Sequence, residues 1–360
     1  MKILAFPRDT GNPYQELLYR HMRERGDNIV YIPSFSSSAT LNLFSLPVFF
    51  VLKRTQGYKI LHIHWVYPFS LKAKIWQNRI AKKILYQYYL FCLFLIKFLG
   101  YKLVWTAHNI MPHESVFLND FQARVNLIKK SDLVIFPSVL TQNEIIKIMK
   151  PHKSIVVPIG SYIGVYPMGA ERLESRQRLR IPLGDFVYLY IGSIRPYKGL
   201  EDLLGAYRKI KSSHNHLIVG GLCLDRHLRS VLDKASESNE IIWHDGIIPD
   251  DELQFYFAAA NITVLPFKKV TTSSSILLSF SFGRSAIVPN LGDLSLLPDN
   301  LVYKYNPVSP NGLIDAMVKS AENLEKLEQK SQNAKAYAEK LNWPSIVENT
   351  RNAIKSLFAS

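Results

Sequence analysis

Two doubly wound, Rossmann-like α/β domains facing a cleft are the architecture that the sequence predicts, and three observations predict it. Short β-rich apolar runs alternate with segments of helix length. The alternation occurs twice, once in each half of the chain. The 360 residues, 48% hydrophobic and 20% charged, suit two globular domains and not a disordered chain. Short apolar strands alternating with helices imply parallel sheets covered on both faces.

In the first half the strands read as KILAFP (2–7), NIVYIP (28–33), ILHIHW (60–65), KLVWTAH (102–108), DLVIFP (132–137) and SIVVPIG (154–160). The second half offers FVYLYIG (186–192), HLIVGG (216–221), EIIWHDG (240–246), ITVLPF (262–267) and SAIVP (285–289). Between them, residues 160–185 are rich in Gly, Pro and Arg and read as the interdomain connection. The tail is helical from Pro310, with a break at Asn342–Pro344 and a last helix reaching Phe358. No tandem repeat is visible. Doubly wound domains take ligands at the carboxyl ends of their strands, so the expected site is the cleft.

Charge is unevenly placed. Of a net +15, residues 1–165 hold 21 Lys and Arg against 8 Asp and Glu, which suggests an anionic partner for that half. Residues 41–54 and 72–100 mix apolar runs with Lys and Arg. The longest uninterrupted apolar piece, 88–96, is too short for a bilayer span of roughly 20 residues. Lys72, Lys74, Arg79, Lys82 and Lys83 precede it, with Trp76 among them, which suits a helix lying in a membrane interface. A buried helix packed on the sheet is the alternative for 84–99. Two cysteines, Cys92 and Cys223, suit a reducing compartment, and the opening MKILAFPRD lacks the pattern of a secretory leader. The expectation is a cytoplasmic protein peripherally bound to the inner face of the plasma membrane.

Two stretches are suited to gripping phosphate. After FVYLYIG the chain continues SIRPYKGLEDLL, placing Arg195 and Lys198 where a helix begins near Gly199. Free N–H groups and about half a positive charge at a helix start would reinforce those two cations. The second is TTSSSILLSFSF (271–282), in which Ser273, Ser274 and Ser275 are good N-cap residues and could also hold a phosphate. Bland readings exist for both, a solvated basic turn and capping alone.

The motifs GSIRPYKGLEDLL, DGIIPDDELQFYFAAANITVLPF and SSSILLSFSFGRSAIVP resemble the donor domain of GT-B glycosyltransferases. LHIHWVYPF, LVWTAHNIMPHE and VVPIGSY are similar to the acceptor domain of bacterial members that build exopolysaccharides. The resemblance implies an acceptor-binding, membrane-facing domain over 1–165, with helix 344–360 packing back on it, and a nucleotide-sugar domain over 166–343. It implies that Arg195 and Lys198 neutralise the donor diphosphate, with Ser193 standing where an arginine is usual. It sets Gly246 and Ile247 beside the nucleobase and Ser273, Ser274 and Ser275 against the distal phosphate or sugar. His108, at a strand tip, is expected to bond the donor.

Retaining members carry two glutamates at the positions of Val270 and Leu278, so the resemblance points to an inverting subgroup like the xanthan-type β-mannosyl and glucuronosyl transferases. Direct displacement needs a base, and the candidates are Glu114, then Asp9, then His113. His62 and His64 alternate on one strand and read as structural. No Asp-x-Asp occurs, so no metal and no cofactor is expected beyond a GDP- or UDP-linked sugar substrate. The implied acceptor is a polyprenyl-diphosphate-linked glycan at an anionic membrane. Competing readings are a GT-B sugar-nucleotide epimerase, a silent glycan-binding member, or a basic nucleic-acid-binding protein. The last lacks any helix-turn-helix, zinc or RNP signature, so nucleic acid is not an expected partner.

Overall fold

A computed structural model of the chain describes residues 1–9, 11, 13–111 and 115–359. The chain runs β1 (Lys2–Phe6), α1 (Tyr14–Glu24), β2 (Asn28–Tyr31), α2 (Ala39–Phe44), α3 (Leu46–Thr55), β3 (Ile60–Ile63), α4 (Arg79–Phe98), β4 (Lys102–Thr106), α5 (Asp120–Lys130), β5 (Leu133–Phe136), α6 (Val139–Ile148) and β6 (Ser154–Val156). It continues α7 (Arg172–Arg178), β7 (Phe186–Ile191), α8 (Leu200–Ile210), β8 (Asn215–Gly221), α9 (Arg226–Glu237), β9 (Ile242–Asp245), α10 (Leu253–Ala259), β10 (Ile262–Val264), α11 (Ser274–Ser281), β11 (Ala286–Pro289) and β12 (Val302–Tyr305). It closes with α12 (Gly312–Glu322), α13 (Leu324–Lys340) and α14 (Trp343–Lys355).

These elements form two units, Met1–Ile159 with Trp343–Ser360, and Gly160–Asn342. Each holds a six-stranded, wholly parallel sheet, ordered β2-β1-β3-β4-β5-β6 in the first and β12-β11-β10-β7-β8-β9 in the second. This is the GT-B architecture of paired doubly wound domains. The strands are continuous apolar runs because helices cover both faces: all four residues of β3 and of β5 are buried. The strand order reverses between β1 and β3 in the first sheet and between β7 and β10 in the second. Loops diverge at such points and leave a crevice beyond the strand ends.

Local chemistry starts the helices. Asn78 caps α4 by accepting the Ala81 N–H at 2.8 Å, and Ser138 caps α6 by accepting that of Thr141. In the first unit, α14 packs on α1 and β5. A buried carboxylate fixes it there: Asp27 accepts from Arg351 Nε at 2.7 Å and from the amino group of Met1 at 2.6 Å.

Two sequence expectations differ from the structure. Strand β12, in LVYKY, has no counterpart among the eleven runs read as strands; it is an edge strand paired only to β11. Residues 160–185 are an ordered part of the second unit, which begins at Gly160, before the expected boundary at 165. The reason lies in Arg176. Its side chain is 1% exposed and gives hydrogen bonds to the carbonyls of Ala259, Pro182, Leu183 and Asp185 and to Asn261 Oδ1. One arginine thus satisfies five oxygens and ties α7 to α10 and β7.

Candidate functional site

In the second unit the loops after β7 and β10, the two strands at the reversal point, are built as one body. Residues 196–198 form a single 3₁₀ turn, and Gly199 then begins α8 with φ +73°. Only glycine fits there: a Cβ would lie 1.9 Å from the carbonyl oxygen of Pro266, just past β10. Next to that contact the Lys268 N–H donates to the Tyr197 carbonyl at 2.8 Å. Further along, the Asp293 N–H donates to the Thr271 carbonyl at 2.9 Å. The Thr/Ser run is therefore held from both sides.

Cations and hydroxyls converge on this body. The Lys198 ammonium donates to Ser193 Oγ at 3.1 Å. A Cβ on Gly192 would lie 3.6 Å from Lys198 Nζ and 3.9 Å from Ser275 Oγ, so both side chains approach the same glycine. Among the described residues no carboxylate forms an ion pair with Lys198 or Arg195. Burial first, and the Arg195 charge second, push the Lys198 ammonium down to about 8. Arg195 itself is exposed. An unneutralised, partly buried lysine beside a repelling arginine stores electrostatic energy that a bound anion would release.

The two helix starts differ. Glu201 and Asp202 occupy the first turn of α8 and already answer its dipole, whereas α11 has no acid there. Ser273 stands at the N-cap of α11 in extended conformation, yet its side chain makes no capping bond. The expected capping role is thus absent, and the first N–H groups of α11 lack the side-chain acceptor such a run usually supplies. Past β9, Gly246 faces open space and Ile247 is 78% exposed.

In the first unit the loops after β1, β3 and β4 carry the other candidates. Asp9 is half-buried; its Oδ1 accepts the Gly11 N–H at 2.8 Å, and its own N–H donates to Gln15. Glu114 and His113 lie outside the described residues. His108, after β4, stacks on Trp65 with ring centroids 4.4 Å apart and bonds His64 through Nε2 at 3.0 Å. His62 and His64 are buried and fully engaged, as their alternation on one strand implies. Burial pushes the imidazoles of His62 and His108 down to about 3 and lowers that of His64, so all three are neutral at ordinary pH. Among the described residues no group of His, Cys, Asp and Glu is arranged to hold a metal ion.

The basic, apolar stretch resolves into two faces of one helix. Leu85, Tyr89, Cys92, Leu93 and Ile96 of α4 are buried in the core. Ile80, Ile84, Phe91, Phe94 and Phe98 are exposed, the first and last by 74%. Val48, Val51 and Leu52 of α3 add to the exposed apolar surface. Phe44, Ile84, Tyr88 and Phe91 line a groove of about 800 Å³ with Lys83 beside them. Lys72, Lys74 and Arg79 are exposed nearby in the chain. No helix among the described residues is long and apolar enough to cross a membrane.

Comparison with known proteins agrees with the fold and names a family for part of the chain. Residues 171–341 match the family described as Glycosyl transferases group 1. Over 246 residues the chain is 24% identical to the GDP-mannose:glycolipid 4-beta-D-mannosyltransferase of Xanthomonas campestris pv. campestris, covering 68% of this chain and 65% of that protein. It is 25% identical over 215 residues to the putative teichuronic acid biosynthesis glycosyltransferase TuaC of Bacillus subtilis, covering 59% and 52%. The D-inositol 3-phosphate glycosyltransferase of Acidothermus cellulolyticus is 23% identical over 58% of this chain and 49% of its own length. The chain thus spans about half to two thirds of the length of these curated relatives. Among solved structures, Anabaena HepE in complex with UDP superposes with a TM-score of 0.77 at 15% identity, over 99% of this chain and 100% of that one. Sucrose-phosphate synthase from Thermosynechococcus elongatus gives 0.75 at 16% identity, over 99% of both.

Proposed function

We propose that this chain, whose residues 171–341 form a glycosyl transferases group 1 domain, moves a hexosyl unit from a nucleotide diphosphate sugar to a lipid-linked oligosaccharide. The setting would be exopolysaccharide or cell-surface glycan synthesis. One observation carries the reading: Lys198, bonded to Ser193, and Ser275 both approach Gly192 at the reversal point of the second sheet, with no described carboxylate neutralising the lysine. That is a place for a diphosphate. The α11 start adds amides and Arg195 adds charge. Gly246 and Ile247, past β9, offer an open surface for the base.

In the proposed displacement the acceptor oxygen bonds to the sugar's anomeric carbon as the bond to the donor phosphate breaks. The electron pair leaves on the diphosphate, where Lys198 and Arg195 stabilise the growing charge. The acceptor's proton goes to a carboxylate of the first unit, Asp9 or Glu114, with inversion of configuration. His108 keeps Nδ1 for a bond to the donor. Side-chain cations do the work for which other enzymes use a metal, so turnover is expected in EDTA.

The acceptor's lipid and the peripheral location rest on α3 and α4. The sequence from residue 28 to 113 contains no acidic residue, and α4 presents an apolar face amid basic side chains. That combination suits the interface of an anionic membrane. The glycolipid named for the Xanthomonas relative is in keeping with it.

Scanning fluorimetry with UDP, GDP, ADP and dTDP, each in EDTA, tests the core of the reading. One of UDP or GDP should raise the melting temperature of the second unit while the corresponding monophosphate does much less. Indifference to all four would remove the donor.

A further inference from the structure

Five buried or half-buried groups in the first unit are joined end to end. Thr106 Oγ1 meets His62 Nε2 at 2.8 Å, and His62 Nδ1 meets the Tyr19 hydroxyl at 2.9 Å. The Tyr19 hydroxyl meets His64 Nε2 at 2.7 Å, and His64 Nδ1 meets His108 Nε2 at 3.0 Å. The groups come from α1, β3, β4 and the turns after β3 and β4. Rings enclose them: Tyr14 stands edge-on to His64 and His108, Trp65 stacks on His108, and Tyr31 lies against Tyr19. No link in the chain is a carboxylate.

Counting hydrogens gives this chain an unusual property. A neutral imidazole has one N–H and one bare nitrogen, and a hydroxyl has one O–H. Each link needs one hydrogen and has room for only one. His62, Tyr19 and His64 each serve two links with a single hydrogen, so each must donate on one side and accept on the other. The four bonds therefore point the same way together. If Tyr19 donates to His62, then His62, His64 and His108 all carry the hydrogen on Nε2, and Nδ1 of His108 accepts. If Tyr19 donates to His64, all three carry it on Nδ1, and Nδ1 of His108 donates. Both directions hold the same number of hydrogens and neither carries charge.

We propose that Thr106, His62, Tyr19, His64 and His108 form one two-direction hydrogen-bond relay that sets whether Nδ1 of His108 donates or accepts. Nδ1 is the ring nitrogen of His108 with no bond to a described residue. A ligand hydroxyl that donates to it selects one direction, and a phosphoryl or ether oxygen, which can only accept, selects the other. Burial keeps all three imidazoles neutral, which is the condition for the count to hold. Thr106, His62, Tyr19 and His64 are then positioning residues, acting through His108. The proposal stands whether or not the chain transfers sugar, since it concerns the state of the free protein.

Imidazole ¹⁵N–¹H correlation spectra of the full chain, labelled in histidine and recorded at pH 7, read the tautomer of each ring. Expected is one shared tautomer, all Nε2–H or all Nδ1–H, or a mixture with equal proportions at the three residues. Thr106→Val removes the partner of His62 Nε2, and the proportions at His62, His64 and His108 should shift together. Tyr19→Phe removes the middle link, and His62 should then differ from a His64–His108 pair that still agrees. The relay is overturned if the three rings differ from one another in tautomer proportions in the unaltered protein. It is equally overturned if Thr106→Val changes His62 while leaving His108 as it was. Either variant alone suffices if the other does not fold.

Discussion

The two units share a scaffold and use it in opposite ways. Both are six-stranded parallel sheets with helices on each face. In the first, the polar groups beyond β3 and β4 are buried, neutral and bonded to one another, while the outside of α4 is apolar and unsheltered. In the second, the corresponding loops leave a lysine and an arginine without a described acidic partner and a helix start without a side-chain cap. The sheet fixes where loops diverge, and the residues in those loops decide whether the place attracts an anion or rejects charge altogether. Such a division suits one unit for an oily, anionic surface and the other for a soluble diphosphate.

The sharpest way to break the contrast is Lys198→Met. It keeps an unbranched side chain one atom shorter and removes its charge, and transfer should fall by about 10²–10³-fold. A loss of less than about threefold would mean the diphosphate is held elsewhere. The same lysine gives an internal check. With its ammonium pushed down to about 8 by burial and by Arg195, it is charged below that pH and neutral above it. Nucleotide diphosphate affinity, by calorimetry, should therefore weaken from pH 7 to 9 in the unaltered protein and stay level in Lys198→Met.

Gly199→Ala comes next. The new methyl must displace the Pro266 carbonyl and adopt a left-handed backbone, at a cost of about 3 kcal/mol. Hydrogen exchange through a urea series should show the second unit opening earlier while the sheet of the first is unmoved. Equal loosening of both would show that the clamp is not local.

The smallest effect expected is at the surface. Ile84→Glu combined with Phe94→Glu alters side chains already in water, so stability should change little. Flotation with phosphatidylglycerol vesicles should weaken by about tenfold or more, from the lost burial of two large apolar groups. If the double variant floats as well as the unaltered chain, the apolar face of α4 is not what meets the bilayer.

Much of this was legible in the sequence, and what was not has physical reasons. Eleven of the twelve strands stand out as β-rich runs; β12 is short, lies at an edge and carries Lys304 in its middle. The alternation of His62 and His64 along the chain sends both to one side, but nothing local reveals that Tyr19 of α1 lies against them, because that contact is made by tertiary packing. The composition of 160–185 reads as a linker, since Gly, Pro and Arg are commonest in exposed chain. Arg176 defeats that reading by burying its charge among carbonyl oxygens. The reading of 84–99 as a helix packed in the core holds for one face of α4, and the opposite face is apolar and exposed. Ser273 looks like a cap and does not act as one. Of the candidate bases, only Asp9 falls among the described residues.

The two-sided α4 has a practical consequence. In dilute buffer without lipid, its outer row of Ile80, Ile84, Phe91, Phe94 and Phe98 has only water or another copy of itself to meet. Purified protein should accordingly self-associate as its concentration rises and come apart in a mild detergent.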